Sequence, residues 1–276
     1  MNSRLGRGAP AALVLAVALL APGLLHAQAQ AGEQAGQQPG QVDAQAFHPA
    51  PDRAGDFLTA HSGRLLPAHG FSGGVLAHYA RRPLVLRRPE RLSPAYAGPY
   101  SGDVVTDRAV LHGLFAYGLT DWLQLGADVP VVLTQSGDDR TGLSDPGEVS
   151  RAAGLGDLRL LAKLRLFDHP APAGASAFHL ALVADAGLPT GDAARYQGGT
   201  TRLAPTLAAQ WRSDFGARVA GNLGYAWRAD EASFGETRVE GGPSWALAVA
   251  LPVWGRREAR VEFLGEVAGE LTTELQ

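Results

Sequence analysis

The stretch RVAGNLGYAWR, residues 218–228, decides the fold because its side chains alternate in character. The odd positions carry large apolar side chains and one glycine: Val219, Gly221, Leu223, Tyr225 and Trp227. The even positions carry small or polar side chains: Arg218, Ala220, Asn222, Gly224, Ala226 and Arg228. Successive side chains on a β-strand point to opposite faces. The stretch therefore predicts a strand with one face suited to lipid and one face suited to a wet interior.

The same alternation recurs along the chain from about residue 71. Apolar and polar or small side chains exchange places at every position in segments of roughly ten residues, which is typical of half-buried strands. These segments are residues 71–80, 108–117, 123–133, 158–166, 178–186, 203–211, 218–228, 245–253 and 261–270. We therefore expect about nine strands, joined mainly as antiparallel hairpins.

The connections between these strands alternate in length. Those near Thr120, Asp214 and Arg256 are short, whereas the others are long and rich in Gly, Pro, Asp and Ser: residues 87–105, 135–154, 188–198 and 229–242. Short turns at one rim and long loops at the other are typical of outer-membrane barrels. The sequence therefore predicts an all-β fold, an antiparallel up-and-down transmembrane β-barrel. Aromatic side chains near the strand ends are expected at the membrane interface: Tyr117, Trp122, Trp211, Trp227, Trp245 and Trp254.

The amino terminus predicts export. Arg4 and Arg7 precede an apolar run over residues 9–20, and the small side chains of Ala27 and Ala29 mark a cleavage site, so residues 1–29 are expected to be a signal peptide. Residues 30–55 are rich in Gln, Gly and Pro and predict a disordered periplasmic leader. Residues 56–276 are assigned to the barrel. An odd strand count is unusual for a bacterial barrel, so we expect the barrel to be incomplete at its carboxyl end.

Charged side chains fall on the polar faces of the predicted strands. The predicted lumen residues are Asp128, Arg159, Lys163, Arg165, Asp185, Arg202, Arg212, Arg218, Arg228, Arg260, Glu262 and Glu266. One interpretation is a pore lining that selects polar solutes through its local field. The other is a set of ion pairs that fill a narrow barrel.

Composition and motifs argue against several other functions. The chain has no cysteine, which excludes disulfides, thiolate metal sites and cysteine nucleophiles, and its net charge of −3 gives no basic patch for nucleic acid. No Gly-x-Ser-x-Gly elbow occurs, and the histidine spacing resembles no zinc site. Asp138, Asp139 and Asp145 could hold calcium, although acidic outer loops are commonly just solvated. We therefore predict no enzyme activity, catalytic residue, metal or cofactor.

Two short motifs suggest a family. Residues 154–158 (GLGDL) and 188–192 (LPTGD) resemble the outer-membrane barrels named for the MetA pathway of phenol degradation, a transporter-type family. Residues 80–86, the loop at 135–138 and the first motif also resemble the barrel part of myxobacterial OmpA-family proteins. In those proteins, the resemblance implies, a peptidoglycan-binding domain follows the barrel. The resemblance implies an outer-membrane location and names no substrate.

Three functions follow as hypotheses. The first is a channel or transporter for small solutes with a charged lumen. The second is a structural envelope barrel of the OmpA type whose peptidoglycan-binding domain is missing from this sequence, and the third is a soluble periplasmic β-sandwich. The expected partners are outer-membrane lipid, the barrel-assembly machinery and small solutes, with no nucleic acid. The sequence does not predict the oligomeric state.

Overall fold

The computed structural model describes residues 47–86, 102–137, 153–169, 175–192, 197–199, 201–228, 232–234, 237–239, 241–256, 259–271 and 274–275. Its strands are β1 Phe71–Leu86, β2 Gly102–Gly118, β3 Leu123–Ser136, β4 Gly154–Leu155, β5 Leu158–His169, β6 Ala177–Leu188, β7 Arg202–Arg212, β8 Arg218–Arg228, β9 Ala232–Phe234, β10 Thr237–Val239, β11 Gly242–Arg256, β12 Ala259–Glu270 and β13 Glu274–Leu275. Within these ranges, no helix has the length and apolar character needed to cross a membrane.

Nine long strands form one antiparallel sheet in the order β1-β2-β3-β5-β6-β7-β8-β11-β12. Each long strand pairs with the next long strand along the chain, which is the up-and-down order that the sequence predicts. The short strand β4 adds to β3, and β9, β10 and β13 form a separate small sheet. The predicted fold class and the count of nine strands are confirmed. β1 and β2 each reach about six residues beyond their predicted ends, and the start of β2 lies within the connection assigned to a loop, residues 87–105.

Alternate turns of this sheet lie at opposite rims. The short-turn rim holds the connections β2–β3, β5–β6, β7–β8 and β11–β12, and the start of β1 lies there too, because Phe71 pairs with Tyr117. The long-loop rim holds the remaining connections. Antiparallel pairing requires this arrangement, so the alternation of turn lengths in the sequence becomes a difference between the two rims.

The two faces of the sheet have opposite character. On β8, the Leu223 side chain is 69% exposed, whereas its neighbour Asn222 is 6% exposed. Large apolar side chains point outward on the other long strands too, among them Phe71, Val75, Phe115, Leu207, Trp227 and Phe263, while the opposite face carries the charged side chains together with buried apolar ones such as Leu114 and Val183. This is the reverse of a water-soluble sheet, and it is not the arrangement of a two-sheet sandwich, in which those side chains would meet each other.

Residues 47–66, which we call the inner segment, cross the polar face of the sheet, which we call the inner face. Pro51 lies against Gly126 of β3, His61 binds Asn222 of β8, and backbone N–H groups bind Glu266 of β12. Phe57 and Ala60 pack on small side chains of the wall, forming one core cluster with Ala220, Ala248 and Ala250.

This placement differs from the predicted disordered leader over residues 47–55. Ala50 and Asp52 are buried instead of solvated. Composition alone indicates few large apolar side chains to bury, but here the segment is held by polar side chains of the sheet that bind its backbone. The predictions for residues 30–46, for the signal peptide and for the acidic loop with Asp138, Asp139 and Asp145 lie outside the described residues.

Candidate functional site: the inner face and the inner segment

Eleven of the twelve predicted lumen residues have described side chains, and none is exposed. Four are buried on the inner face: Asp128, Arg159, Lys163 and Asp185. Seven are half-buried: Arg165, Arg202, Arg212, Arg218, Arg228, Glu262 and Glu266. The side chain of Arg260 lies outside the described residues.

Arg159 connects two buried carboxylates. Its Nη1 lies 3.3 Å from Asp128 Oδ2, and its Nη2 donates to Asp185 Oδ2. Asp128 also faces His112 of β2, whose Nδ1 lies 2.8 Å from Asp128 Oδ1. Sequence spacing did not point to His112, because its partner lies on another strand. Since these charges are withdrawn from water, the desolvation cost is offset only while every member keeps its partner.

The series continues toward the end of the sheet. Arg202 Nη1 lies 3.6 Å from Asp185 Oδ2, and Arg202 Nη2 lies 3.3 Å from Glu270 Oε2. Arg228 Nη1 lies 2.7 Å from Glu270 Oε1. Seven strands thus share one ion-pair chain, which consists of His112, Asp128, Arg159, Asp185, Arg202, Glu270 and Arg228. Each carboxylate in it contacts at least one cation or imidazole, so the chain holds little uncompensated charge.

Glu266 of β12 holds the inner segment by its backbone. One carboxylate accepts hydrogen bonds from the N–H groups of residues 58, 59 and 60 and from the Thr59 hydroxyl. Three successive N–H groups that converge on one carboxylate form a compact anion-binding concavity. The described partners of the Glu266 carboxylate therefore all belong to the segment, whereas Glu262 pairs with Arg218 at 2.7 Å and Glu270 pairs with arginines of the wall.

A second attachment centres on Asp56 of the inner segment. Lys163 Nζ donates to Asp56 Oδ1 at 2.6 Å, and the Ser62 N–H donates to the same oxygen at 2.7 Å. Burial by itself would raise the pKa of Asp56, but the Lys163 ammonium and the neighbouring His61 outweigh it and hold that pKa well below its usual range. Asp56 is therefore ionised at any physiological pH.

Further contacts of the inner segment use single polar side chains of the wall. Asn222 binds His61 through both of its backbone groups, donating to the carbonyl at 2.8 Å and accepting from the N–H at 2.7 Å. Gln124 accepts from the Leu66 N–H at 2.7 Å. Arg218 donates to the Gly55 carbonyl at 3.0 Å, and its guanidinium lies 4.9 Å from the centroid of the Phe57 ring.

The two glycine-containing motifs of the sequence meet at the long-loop rim. Asp157 Oδ1 accepts the N–H groups of Gly191 at 2.9 Å and Gly199 at 2.8 Å, and Thr190 Oγ1 accepts the Leu158 N–H at 2.8 Å. Gly198 has φ +132°, and a Cβ atom there would lie 2.3 Å from Asp157 Oδ1. The motifs therefore form one tightly packed junction, in which a glycine is required at position 198.

The family model described as "Putative MetA-pathway of phenol degradation" matches residues 98–253. The chain belongs to this phenol-degradation MetA family. The match covers more than half of the chain and agrees with the barrel-like fold. No curated protein and no solved structure matches, so the likeness to OmpA-family barrels stays a prediction.

The residues matched by the MetA-family model include only part of the site. It includes the strands from β2 to β8, and with them Asp128, Arg159 and Asp185 of the ion-pair chain. The inner segment and all of β12, with Glu262, Glu266 and Glu270, lie outside it. The contact between Glu266 and the segment is therefore a feature of this chain that the family model does not describe.

A cavity of about 230 Å³ lies between the inner segment and the MetA-family wall. The segment contributes His48, Thr59 and His61 to its lining, and the wall contributes members of the ion-pair chain together with Thr206, Asn222 and Ser244. Burial and the charges of Arg159 and Arg202 hold the pKa of His48 well below its usual range, so this imidazole is neutral at pH 7. The cavity is polar, but its charges compensate each other.

The predicted interface aromatics of this MetA-family chain lie at different depths. Tyr117 and Trp211 point outward at the short-turn rim, with Trp122 in the β2–β3 turn, and Trp227 points outward at the long-loop rim. Trp245 pairs with Leu223, four residues inward from Trp227, and so lies away from the rim. The Trp254 side chain lies outside the described residues. Aromatic side chains of the predicted interface set therefore lie at both rims, whereas Trp245 lies in the band between the rims.

Proposed function

We propose that this protein is an outer-membrane β-barrel, exported by a cleaved signal peptide, that admits small neutral solutes through its lumen. One observation carries the proposal: the outer face of the sheet is apolar and exposed, while the inner face is polar and lined with paired charges. Lipid favours the first face, and a wet lumen favours the second. The barrel would have outer-membrane lipid and the barrel-assembly machinery as partners, and we assign it no catalytic role.

The character of the cavity supports neutral solutes. Asp185 and Glu270 are each bound by arginine, and His48 is uncharged, so the described lining residues leave no unpaired charge to select an ion. Hydroxyl groups of Thr59, Thr206 and Ser244 remain for hydrogen bonding. The family name supports phenol and related aromatic alcohols as the first solutes to be examined, because each has one hydrogen-bonding group on an apolar ring.

Reconstitution tests the proposal. Purified full-length protein in liposomes should accelerate the uptake of phenol over that of protein-free liposomes, and planar bilayers should show stable conductance steps. Arg202→Gln should raise the ratio of cation to anion conductance, because Glu270 and Asp185 would lose one compensating charge. The matched control is Arg212→Gln, which removes an arginine outside the cavity and outside every described ion pair.

Two results would contradict a channel. One is the absence of conductance steps from correctly inserted protein, and the other is an equal ion selectivity of the Arg202→Gln and Arg212→Gln proteins. A silent barrel would favour the second candidate, a structural envelope barrel. The inner segment is the observation that favours this alternative, because it occupies the inner face across β3, β5, β8 and β12.

A further inference from the structure

We infer that the inner segment is a gate: it closes the lumen when docked, leaves the inner face while the sheet stays folded, and is latched by Glu266. The inference rests on the proposed channel function. It concerns the part of the chain outside the family match, and it assigns to Glu266 a role different from that of Glu262 and Glu270 on the same strand.

The backbone of the segment is independent of the sheet. Its backbone-to-backbone hydrogen bonds over residues 48–66 stay inside the segment, for example Ala50 N–H to Leu58 O at 2.9 Å and Phe57 N–H to Ala60 O at 3.0 Å. The wall strands, by contrast, pair with one another along their length. Undocking therefore breaks no described backbone pairing of the sheet, so the wall can stay folded while the segment moves.

The attachments of the segment can be exchanged for water. They are hydrogen bonds and ion pairs to single side chains, chiefly Lys163, Arg218, Asn222 and Glu266. The segment also buries apolar side chains, among them Phe57, Leu65 and Leu66, but Phe57 and Ala60 pack mainly on the small side chains of wall alanines. Water entering the lumen would hydrate the released groups, so undocking costs less than the same bonds would cost in a dry core.

Glu266 makes more described hydrogen bonds to the segment than any other side chain of the wall. It satisfies three consecutive backbone N–H groups and one hydroxyl, all of which belong to the segment. Glu270 lies four residues further along β12 on the same face, but both of its arginine partners belong to the wall. The two glutamates therefore form a matched pair for experiment, one on the latch and one on the wall.

Accessibility of a single thiol measures undocking. The natural chain has no cysteine, and Ser62 of the segment is fully buried, so Ser62→Cys gives one protected and nearly isosteric reporter. In liposomes, Glu266→Ala should raise the rate of labelling by a membrane-impermeant maleimide by about tenfold or more, because charge-assisted hydrogen bonds are lost. Glu266→Gln should give a smaller rise, and Glu270→Ala should leave the thiol protected.

A disulfide tests whether docking closes the lumen. A Cβ atom on Gly126 would lie 3.4 Å from the Cβ of Pro51, close to the separation of about 3.5–4.5 Å that a disulfide requires. Oxidised Pro51→Cys/Gly126→Cys protein should therefore hold the segment against β3 and show few openings. Reduction by dithiothreitol should restore the conductance of the single Pro51→Cys control, which keeps Gly126 and so adds no side chain against the segment.

The outcomes separate the gate from the channel. Equal conductance of the oxidised and reduced proteins would overturn the gate and leave the channel standing. Labelling of Ser62→Cys that rises equally in the Glu266→Ala and Glu270→Ala proteins, or in neither, would overturn the latch. A protein that is labelled on loss of Glu266 yet never conducts would support undocking and overturn the proposed channel.

Discussion

Arg159 shows how one residue balances the inner face. Its guanidinium contacts Asp128, Asp185 and the carbonyl of Pro49, so it joins two strands and the inner segment. No other described cation lies within ion-pair distance of Asp128, and for Asp185 the alternative is Arg202 at 3.6 Å. Substitution of Arg159 is therefore expected to destabilise the protein more than substitution of a strand residue that has no buried ion pair.

Replacement of Arg159 by Met should lower the free energy of unfolding by about 3–5 kcal/mol, because two buried carboxylates lose their main cation. Denaturant unfolding in detergent micelles measures the change. Arg212→Met is the control, with an expected change below about 0.5 kcal/mol, since Arg212 is half-buried and belongs to no described ion pair. Equal destabilisation by the two substitutions would refute the ion-pair account.

Two glycines provide a second comparison at the scale of the residue. Gly198→Ala should destabilise the rim junction by about 1–3 kcal/mol, because alanine is strained at φ +132° and its Cβ would collide with Asp157. Gly221→Ala should be neutral or slightly stabilising, since a Cβ there meets no atom within 4 Å. Limited proteolysis of the long loops should therefore accelerate for the first variant alone.

At the scale of the element, the inner segment should respond to acid. In the folded protein His48 stays neutral, whereas in the unfolded chain its imidazole takes up a proton below about pH 6.5. In the folded protein Asp56 stays ionised, whereas in the unfolded chain its carboxylate takes up a proton below about pH 4. Both stabilising contributions are present above those values and are lost as the pH falls. The guanidinium groups of Arg159 and Arg202 face His48 with positive charge, His112 is its neighbouring imidazole, and the Asp185 carboxylate opposes the two arginines only in part.

Stability should accordingly fall between about pH 7.5 and about pH 5.5. His48→Gln should reduce this fall, because glutamine does not titrate, while its stability at the higher pH should stay close to that of the parent. Denaturant unfolding at the two pH values provides the comparison. A drop of unchanged size in the variant would assign the acid sensitivity to other groups.

Elements with a regular repeat could be predicted from sequence, and the others could not. The alternation on β8 placed Asn222 inward and Leu223 outward because a strand fixes every second side chain on one face. The inner segment has no such repeat. Its position depends on hydrogen bonds to residues far along the chain, such as Gln124 and Glu266. The spacing of residues in the sequence does not show which groups these side chains bind.

The candidate site followed the same division. The inward direction of the charges was predictable, whereas the pairing of Arg202 with Glu270, 68 positions away, required the order and stagger of the strands. His112 was passed over for the same reason, since Asp128 meets it only through the β2–β3 register.

At the scale of the whole molecule, depth along the outer face should decide the effect of a charge. Leu223 lies midway between Val219 and Trp227, which are eight residues apart, or about 26 Å along the strand at about 3.3 Å per residue. Because the strands of outer-membrane barrels are tilted, this length spans most of their roughly 25 Å apolar band. Phe215 is 70% exposed, like Leu223 at 69%, but lies in the β7–β8 turn.

Leu223→Arg should therefore destabilise the protein in lipid bilayers by about 2–4 kcal/mol, and Phe215→Arg by about 1 kcal/mol or less. The measurement is folding into lipid vesicles of the two variants, with the parent as reference. Because the two side chains are equally exposed, a protein surrounded by water would tolerate both changes alike. That result would remove the membrane from the proposal.

The contact of Glu266 with residues 58–60 also has a kinetic consequence. Its partners are 206 to 208 positions apart, so the chain must close a very long loop before this carboxylate finds its donors. Contacts of such separation form late in folding. Water would thus fill the space beside the nascent wall until late in assembly, and full docking of the segment would wait for the arrival of β12.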